Sequence, residues 1–292
     1  MATVPAGLLD GAIDLHYHSA PSPFPRRLTP AEAARHYAEN GFRAVVLKSH
    51  HHITVMDALS IKDVVLDKLD LEVYGGVALN SHVGGLNPAA VELCMYMGGK
   101  IVWFPTLSSH AHIEFHRHHV SNFPSSQLSP EPPLSVLDDD GKLKPVVLEI
   151  LELVRDNGAI LASGHLAAPE LIPLFEQAHA MGIEKMLVQH PNFVLGLTHD
   201  DARRLTSLGA YIEHSVIMYD PEGPAKLPID EFTTWIGAVG ADRTVFGSDT
   251  GQATSPHPAD IYRTVAGLLI ETGASEDDIR KMTVDNAAAL LA

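Results

Sequence analysis

Histidine is the residue type whose number and spacing could support chemistry in this sequence. The chain of 292 residues contains 18 histidines, against 20 lysines and arginines together. Imidazole is the commonest side-chain ligand of zinc and related divalent metals. His16 and His18 are separated by one residue in the run IDLHYH. Residues two apart on a β-strand share a face, so this spacing places both rings on one side of the strand, where they can bind one metal ion or form a stacked pair of surface or core histidines.

Three further candidate ligands end apolar runs elsewhere in the chain. His165 ends AILASGH, His190 ends KMLVQH and Asp249 ends RTVFGSD. An aspartate before Thr-Gly is also common in turns and helix caps. Beside a metal, however, a carboxylate can act as a ligand and as a base toward bound water, whose pKa the metal lowers from 15.7 to roughly 7.

The elements that would position these residues are short, nearly continuous apolar runs, which are typical of parallel strands buried on both faces. We interpret eight such runs as strands, at 11–18, 44–50, 72–80, 100–106, 159–165, 185–190, 210–215 and 243–249. Helical patterns lie between them, the first introduced by a capping box, Thr29-Pro30-Ala31-Glu32. Asp140-Gly141 indicates a hairpin turn, and Ser275 is expected to cap the last helix.

Eight alternations of strand and helix predict an α/β fold, a (β/α)8 TIM barrel formed by residues 1–292 as a single domain. A doubly wound open sheet is the alternative, although no GxGxxG follows the first strand. A lid-like insertion at about 107–144, or an oligomer contact, is expected after the fourth strand, and an extra helix at the C-terminus. All histidines except His36 and His179 then follow strands at one end of the barrel, where active sites lie in this fold.

Composition excludes several functional classes. With 36 acidic against 20 basic residues, the formal charge is −16, which argues against nucleic acid and against anionic membrane surfaces as partners. No apolar run approaches the ~20 residues of a membrane span, and we see no secretory signal. Cys94 is the only cysteine, so a reducing, cytoplasmic location is expected.

The ordered pattern of strand-end residues resembles the amidohydrolase superfamily. Its elements are HxH on strand 1, single histidines after strands 5 and 6 and an aspartate after strand 8. The motifs LKSHH, LNSHVGGLNP, FPT, SGHL, QHPN and GSDTGQ are similar to those of a group of uncharacterised bacterial amidohydrolase-related proteins. The resemblance implies a metal-dependent hydrolase with ligands at His16, His18, His165, His190 and Asp249.

One position departs from the superfamily pattern. Binuclear members usually carry a carboxylated lysine or a glutamate after strand 4, where this chain has Phe104-Pro105-Thr106. Lys48 and His50 lie at the end of predicted strand 2 instead and would share a face. Lys48 is therefore a candidate metal ligand if carboxylated, a candidate anion-binding ammonium, or simply the partner of a carboxylate. One or two metal ions are compatible with the sequence.

The remaining candidates are expected to contact substrate or to be structural. His50, Asn80, His82, His110 and His112 are candidate substrate contacts. Of Glu213 and His214, adjacent on one strand, at most one can point inward. Arg26 and Arg27 could bind a carboxylate, but an exposed basic pair is the expectation.

The sequence thus predicts a hydrolase in which a metal-activated water attacks an amide, cyclic amide, ester or related bond of a small molecule. His190, Lys48 and Asp249 are the expected catalytic residues, and Zn2+ is the expected metal, with Mn2+, Fe2+, Co2+ and Ni2+ as alternatives. Two other functions fit the same residues: a metal-dependent, non-hydrolytic decarboxylase of the superfamily, and a non-enzymatic metal-binding barrel. The sequence does not determine the oligomeric state; a homo-oligomer is compatible with the resemblance, since superfamily barrels often pair.

Overall fold

The computed structural model describes residues 4–118, 128, 132–193 and 195–292. Strands and helices alternate along these residues, and the strands pair in parallel. The strands are β1 (Ile13–Tyr17), β2 (Ala44–Leu47), β3 (Glu72–Tyr74), β4 (Gly76–Ala78), β5 (Ile101–Trp103), β6 (Ile160–Ala162), β7 (Met186–Gln189), β8 (Tyr211–Ser215) and β9 (Thr244–Gly247). The α/β fold with parallel sheets predicted from the sequence is confirmed.

Helices follow most of the strands. They are α1 (Pro30–Glu39), α2 (Val55–Ser60), α3 (Pro88–Tyr96), α4 (His110–His118), α5 (Pro145–Asp156), α6 (Ala168–Ala180), α7 (His199–Ser207), α8 (Ile229–Val239), α9 (Pro258–Glu271), α10 (Glu276–Arg280) and α11 (Asn286–Leu291). The predicted capping box of α1 is present, because Thr29 and Glu32 bond reciprocally to each other's backbone N–H. No helix among the described residues is both long enough and apolar enough to cross a bilayer.

The chain divides into two compact units. The first comprises Met1–Lys48, Asp57–Tyr74 and Glu213–Ala292, and the second Ser49–Met56 and Gly75–Ile212. β8 therefore begins in the second unit and ends in the first.

In the first unit, β1, β2 and β3 form a parallel sheet in that order. Tyr17 at the end of β1 also forms a parallel bridge with Thr250, just after β9. Most of the core of this unit is apolar, and aromatic rings from several elements meet in it at edge-to-face angles: Tyr37, Phe42, Phe246 and Tyr262. This core fixes the ends of β1 and β9 side by side.

In the second unit, β4, β5, β6 and β7 pair in parallel in chain order. All their residues are buried, which explains the continuous apolar runs in the sequence. The strands end one to three residues before the polar residues that close those runs, so His165 and His190 lie just after β6 and β7.

The third predicted strand, 72–80, is wrong as one element and is instead β3 and β4. Thr54 occupies the position beside Gly76, donating its N–H to the Gly76 carbonyl at 3.0 Å and accepting the Gly76 N–H on its hydroxyl at 2.9 Å. A Cβ on Gly75 would lie 2.3 Å from the backbone nitrogen of Val55. The close approach of this segment therefore interrupts the strand.

The structure also refines the predictions made for the insertion and for the C-terminal helix. The insertion predicted at about 107–144 lies partly outside the described residues. Its first part contains α4, and a bridge between Leu137 and Leu143 confirms the hairpin turn at Asp140-Gly141. Ser275 caps α10 as predicted, but the last helix includes a π-helical turn at Lys281–Asp285 before α11.

Candidate metal centre

The side chains of His16, His18 and Asp249 converge in the first unit. Oδ1 of Asp249 lies 3.1 Å from Nε2 of His16 and 3.2 Å from Nε2 of His18. One ligand atom from each residue lies within 4.8 Å of the other two, and among the described residues this is the one group of that kind. Both rings are buried, whereas 21% of the Asp249 side chain is exposed, so a ligand can reach the carboxylate.

Backbone pairing between the ends of β1 and β9 produces this convergence. The N–H of Asp249 donates to the carbonyl of His16 at 2.8 Å, and the N–H of His18 donates to the carbonyl of Thr250 at 3.0 Å. Asp249 adopts a φ of 50°, which is unusual for a residue other than glycine and turns its side chain out of the strand direction. Such a conformation is costly and is concentrated at functional sites.

His16 is held from its other ring nitrogen by Glu213. Oε1 of Glu213 accepts a hydrogen bond from Nδ1 of His16 at 2.6 Å, and neither side chain has any exposed surface. Gly247 makes this possible, since a Cβ there would lie 2.6 Å from the Glu213 carboxyl carbon. A carboxylate on the second ring nitrogen is the usual support of a metal-binding histidine.

Lys48 is the fourth polar group of the cluster. Its Nζ lies 3.0 Å from Nε2 of His16, and burial lowers the pKa of this lysine to about 8. Burial and the Lys48 charge act to lower the pKa of His16, but Asp249 and Glu213 oppose them and the net shift is upward. Burial, reinforced by the charge of Arg26, holds the pKa of His18 well below its usual value. His18 is therefore neutral, the form in which imidazole binds metals.

Asp14 stabilises the backbone on which the cluster is built. Its Oδ1 accepts the backbone N–H of His16 at 2.9 Å and that of Ser248 at 3.0 Å, and its Oδ2 accepts the hydroxyl of Tyr37. Burial raises the pKa of Asp14 to about 6, although these hydrogen bonds oppose the rise. The carboxylate thus ties β1 to the residue that precedes Asp249.

A second group of polar side chains lies in the second unit. Nδ1 of His165 lies 2.9 Å from Nδ1 of His112, which α4 contributes, and the ring of His190 is 4.9 Å from that of His165. Burial, followed by the charges of His116 and His190, lowers the pKa of His112 to about 3. His112 is therefore neutral. His190 adopts a φ of 50° directly after β7.

Asn80 organises the neighbourhood of His50. Its Oδ1 accepts the backbone N–H groups of Thr106 and Ser108 at 2.8 and 3.1 Å, so its Nδ2 must be the donor to the His50 carbonyl and to Thr106 Oγ1. The Thr106 hydroxyl lies 2.8 Å from Nδ1 of His50. The same hydroxyl accepts a hydrogen bond from Asn80 Nδ2, so Asn80 and His50 meet at one side chain. Asn80 thus ties the backbone of His50 to that of Thr106 and Ser108.

The other predicted contacts lie in different surroundings. His82 is in the short helix Ser81–Val83 with its ring 4.6 Å from His51, and His110 is exposed at the start of α4. His214 stacks on Phe232 with ring centroids 4.3 Å apart, which is a packing role.

Sequence analysis did not assign roles to Glu213 and Asp14. For Glu213 the available signal was the alternation of side chains on β8, which allowed one of Glu213 and His214 to point to the site. For Asp14 it was a carboxylate between the apolar residues Ile13 and Leu15 of β1, which must have partners when buried.

The donor set at the first-unit cluster fits a divalent metal. Two imidazole nitrogens and one carboxylate oxygen are the ligands of many three-residue zinc sites that keep a fourth position open. Glu213 supplies the expected support for His16. His16, His18 and Asp249 are therefore the residues that can hold the ion.

Several solved structures have a fold similar to that of this chain. An amidohydrolase from Pseudomonas aeruginosa is 12% identical with a TM-score of 0.65, covering 98% of each chain. The probable dipeptidase PvdM from Pseudomonas aeruginosa is 11% identical with a TM-score of 0.62, covering 99% of this chain and 98% of its own. A mutant organophosphorus hydrolase from Deinococcus radiodurans is 14% identical with a TM-score of 0.56, covering 100% of this chain and 97% of its own.

These likenesses, at 11–14% identity, show the fold alone. No curated protein matches the chain. One family model matches residues 11–213, more than half of the chain, and its family is described as one of unknown function. The chain therefore belongs to the family DUF6282.

Proposed function

We propose that the chain is a metal-dependent hydrolase of the amidohydrolase superfamily. The observation that carries the proposal is the convergence of His16, His18 and Asp249 on one point, with their ligand atoms within 4.8 Å of one another. The shared fold with an amidohydrolase, a probable dipeptidase and an organophosphorus hydrolase supports it. The closed (β/α)8 barrel and its lid belong to the same proposal.

His16 and His18 would hold the ion through Nε2, and Asp249 would hold it through Oδ1, the atoms that converge in this cluster. Zn2+ is the proposed metal, since histidine and carboxylate ligands suit it. When bound, it polarises the scissile group and makes water acidic enough to ionise near neutral pH. Glu213 keeps the His16 ring in orientation by accepting its Nδ1 proton.

Asp249 is the proposed proton carrier. Its carboxylate is the partly exposed member of the cluster, so it can reach both water and substrate. It accepts the proton of the attacking water and returns it to the leaving group, the usual double role of a general base and acid. A neutral leaving amine or alcohol results.

Lys48 has two possible roles, and both follow from its position 3.0 Å from His16 Nε2. As a carbamate, formed with carbon dioxide by its neutral amine, it would be a further metal ligand. As an ammonium, it would hold an anionic oxygen of the substrate. The mass of the intact protein distinguishes them, since a carbamate adds about 44 Da to the chain.

His165 and His190 are proposed as further ligands or as donors to the developing oxyanion. His50, Asn80, His82, His110 and His112 are the proposed substrate contacts. The proposed substrate is a small molecule with an amide, cyclic amide, ester or related bond, and the proposed location is the cytoplasm.

Activity after metal removal tests this proposal. The purified protein is dialysed against a chelator, reloaded with Zn2+, Mn2+ or Co2+, and assayed on a panel of amides, esters and phosphoesters. We expect hydrolysis only after reloading, and a loss of at least about a hundredfold in Asp249→Asn, the order expected for removing a general base. Asp242→Asn, on the exposed surface, is the matched control. Hydrolysis that survives metal removal, or that Asp249→Asn leaves unchanged, contradicts the proposal.

A further inference from the structure

Two loops of the first unit pair directly beside the candidate metal centre. The N–H of Arg27 donates to the Gly251 carbonyl at 2.8 Å, and the N–H of Ala253 donates to the Pro25 carbonyl at 3.1 Å. Arg26 and Gln252 are therefore opposite each other in an antiparallel bridge. Side chains of directly opposed residues share a face, with their Cβ atoms about 5 Å apart.

Arg26 is not the exposed residue expected from the sequence. It is half-buried, whereas Arg27 is exposed, and its guanidinium carbon lies 5.7 Å from the centre of the Phe24 ring. Its Nε is buried and, within the part of the chain that the structure describes, has no hydrogen-bond partner. Burial lowers the pKa of Arg26 to about 10, which still leaves it charged at neutral pH.

Gln252 presents a complementary atom on the same face. Its Oε1 is also buried without a hydrogen-bond partner among the described residues. Buried polar atoms are nearly always paired, and leaving a donor or acceptor unmade is costly, especially on a charged group. A buried donor opposite a buried acceptor indicates a ligand that satisfies both.

The paired loops also place this face next to the metal cluster. Gly251 packs on His18 so closely that a Cβ would lie 1.8 Å from the His18 carbonyl oxygen. The charge of Arg26 contributes to the low pKa of His18, and Asp249 acts on Arg26 in turn. A ligand held by Arg26 is thus close to the residues that would act on it.

We propose that Arg26 and Gln252 form a subsite for a small carboxylic acid that carries an N–H group beside its carboxylate, as in an N-acyl amino acid. Arg26 donates to the carboxylate, with which a guanidinium makes strong, charge-assisted bonds. Gln252 Oε1 accepts the N–H. The assignment of this ligand as substrate rests on the proposed function, but binding by the subsite does not.

Binding of N-acetylalanine to the metal-free protein tests the subsite. Calorimetric titrations compare this acid with N-acetylalaninamide, which lacks the charge. We expect the acid to bind at least about tenfold more tightly than the amide, because hydrogen bonds to a charged group contribute at least this much to affinity. Arg26→Met should remove that preference. Arg27→Met is the matched control and keeps wild-type affinity. Arg26→Gln, which keeps a polar side chain, should also lose the preference for the acid. It replaces Arg26→Met in this test if that variant does not fold.

A second pair of probes tests Gln252. O-acetyllactate has an ester oxygen where N-acetylalanine has its N–H. Gln252→Leu should therefore weaken the binding of N-acetylalanine and leave the affinity for O-acetyllactate unchanged. Equal affinities of wild type for acid and amide, or a preference that survives in both Arg26 variants, overturn the proposal. If the acid binds as expected but no metal-dependent hydrolysis is found, the subsite stands and the proposed function fails.

Discussion

Glu213 and His16 form a fully buried hydrogen bond of 2.6 Å between Oε1 and Nδ1. The two residues are 197 positions apart in the chain, so the contact exists only in the folded first unit. It leaves Nε2 of His16 facing Asp249 and Lys48. The orientation of one ligand of the candidate metal centre therefore depends on a carboxylate that does not reach the centre itself.

Glu213→Gln should weaken metal binding without abolishing it. The amide can still accept from Nδ1, but it lacks the charge that raises the basicity of His16, and supporting partners of this kind contribute about 10–100-fold to metal affinity. Competition with a chromogenic chelator measures the dissociation constant. Glu222→Gln, an exposed residue of the same unit, should leave it unchanged, and equal affinities in both variants would show that Glu213 does not support the ligand.

Gly251→Ala should disturb the centre through its backbone. Gly251 has a φ of +118°, and a Cβ there would lie 1.8 Å from the carbonyl oxygen of His18. We expect a loss of at least about 2 kcal/mol in the free energy of unfolding, because a strained backbone conformation and a clash add, together with weaker metal binding. Gly273→Ala is the control, since its φ is +105° but its surroundings are open. A similar loss of stability and unchanged metal affinity in both variants would refute this account of Gly251.

Asn80→Ala should destabilise the second unit. The substitution removes the acceptor for two buried backbone N–H groups, those of Thr106 and Ser108. Each buried donor left unpaired costs about 1–3 kcal/mol, so urea denaturation should show a loss of about 2–4 kcal/mol. Asn157→Ala, whose side chain is exposed and bonds one carbonyl, should lose less than about 1 kcal/mol. Equal losses would mean that the Asn80 network is not a structural element.

Cys94 should be unreactive in the folded protein. Its side chain is fully buried in α3, and burial raises the pKa of its thiol to about 12. The thiolate is the reactive form, so a disulfide reagent at pH 8 should modify Cys94 only at the rate at which the protein unfolds. Rapid stoichiometric modification without denaturant would show that α3 does not pack as described.

The sequence was sufficient to predict the three residues that the structure brings together in the first unit. His16 and His18 are two positions apart at the end of β1, so the alternation of side chains along a strand is enough to place them on one face. Asp249 follows the continuous apolar run of β9. The strand-end positions of His165 and His190 were also predicted from local pattern alone. Local periodicity thus places individual side chains at the ends of their strands.

The partners of these residues come from distant parts of the chain, so they could not be predicted from the local sequence pattern. Glu213 reaches His16 only because Gly247 leaves space for it, and the half-burial of Arg26 follows from pairing with a loop more than 200 residues later in the chain. The split of 72–80 into β3 and β4 depends on the close approach of Thr54. These features need the fold before they can be recognised.

Metal content tests the central claim most directly. The protein is saturated with Zn2+, dialysed against metal-free buffer and analysed by mass spectrometry of the metal, together with His18→Ala and the control His36→Ala, in which a histidine stacked on His257 is removed. We predict at least one ion per wild-type chain, the same content in His36→Ala, and at least one ion fewer in His18→Ala. A wild-type protein without bound metal, or full metal content in His18→Ala, would contradict the claim that His16, His18 and Asp249 form a metal site.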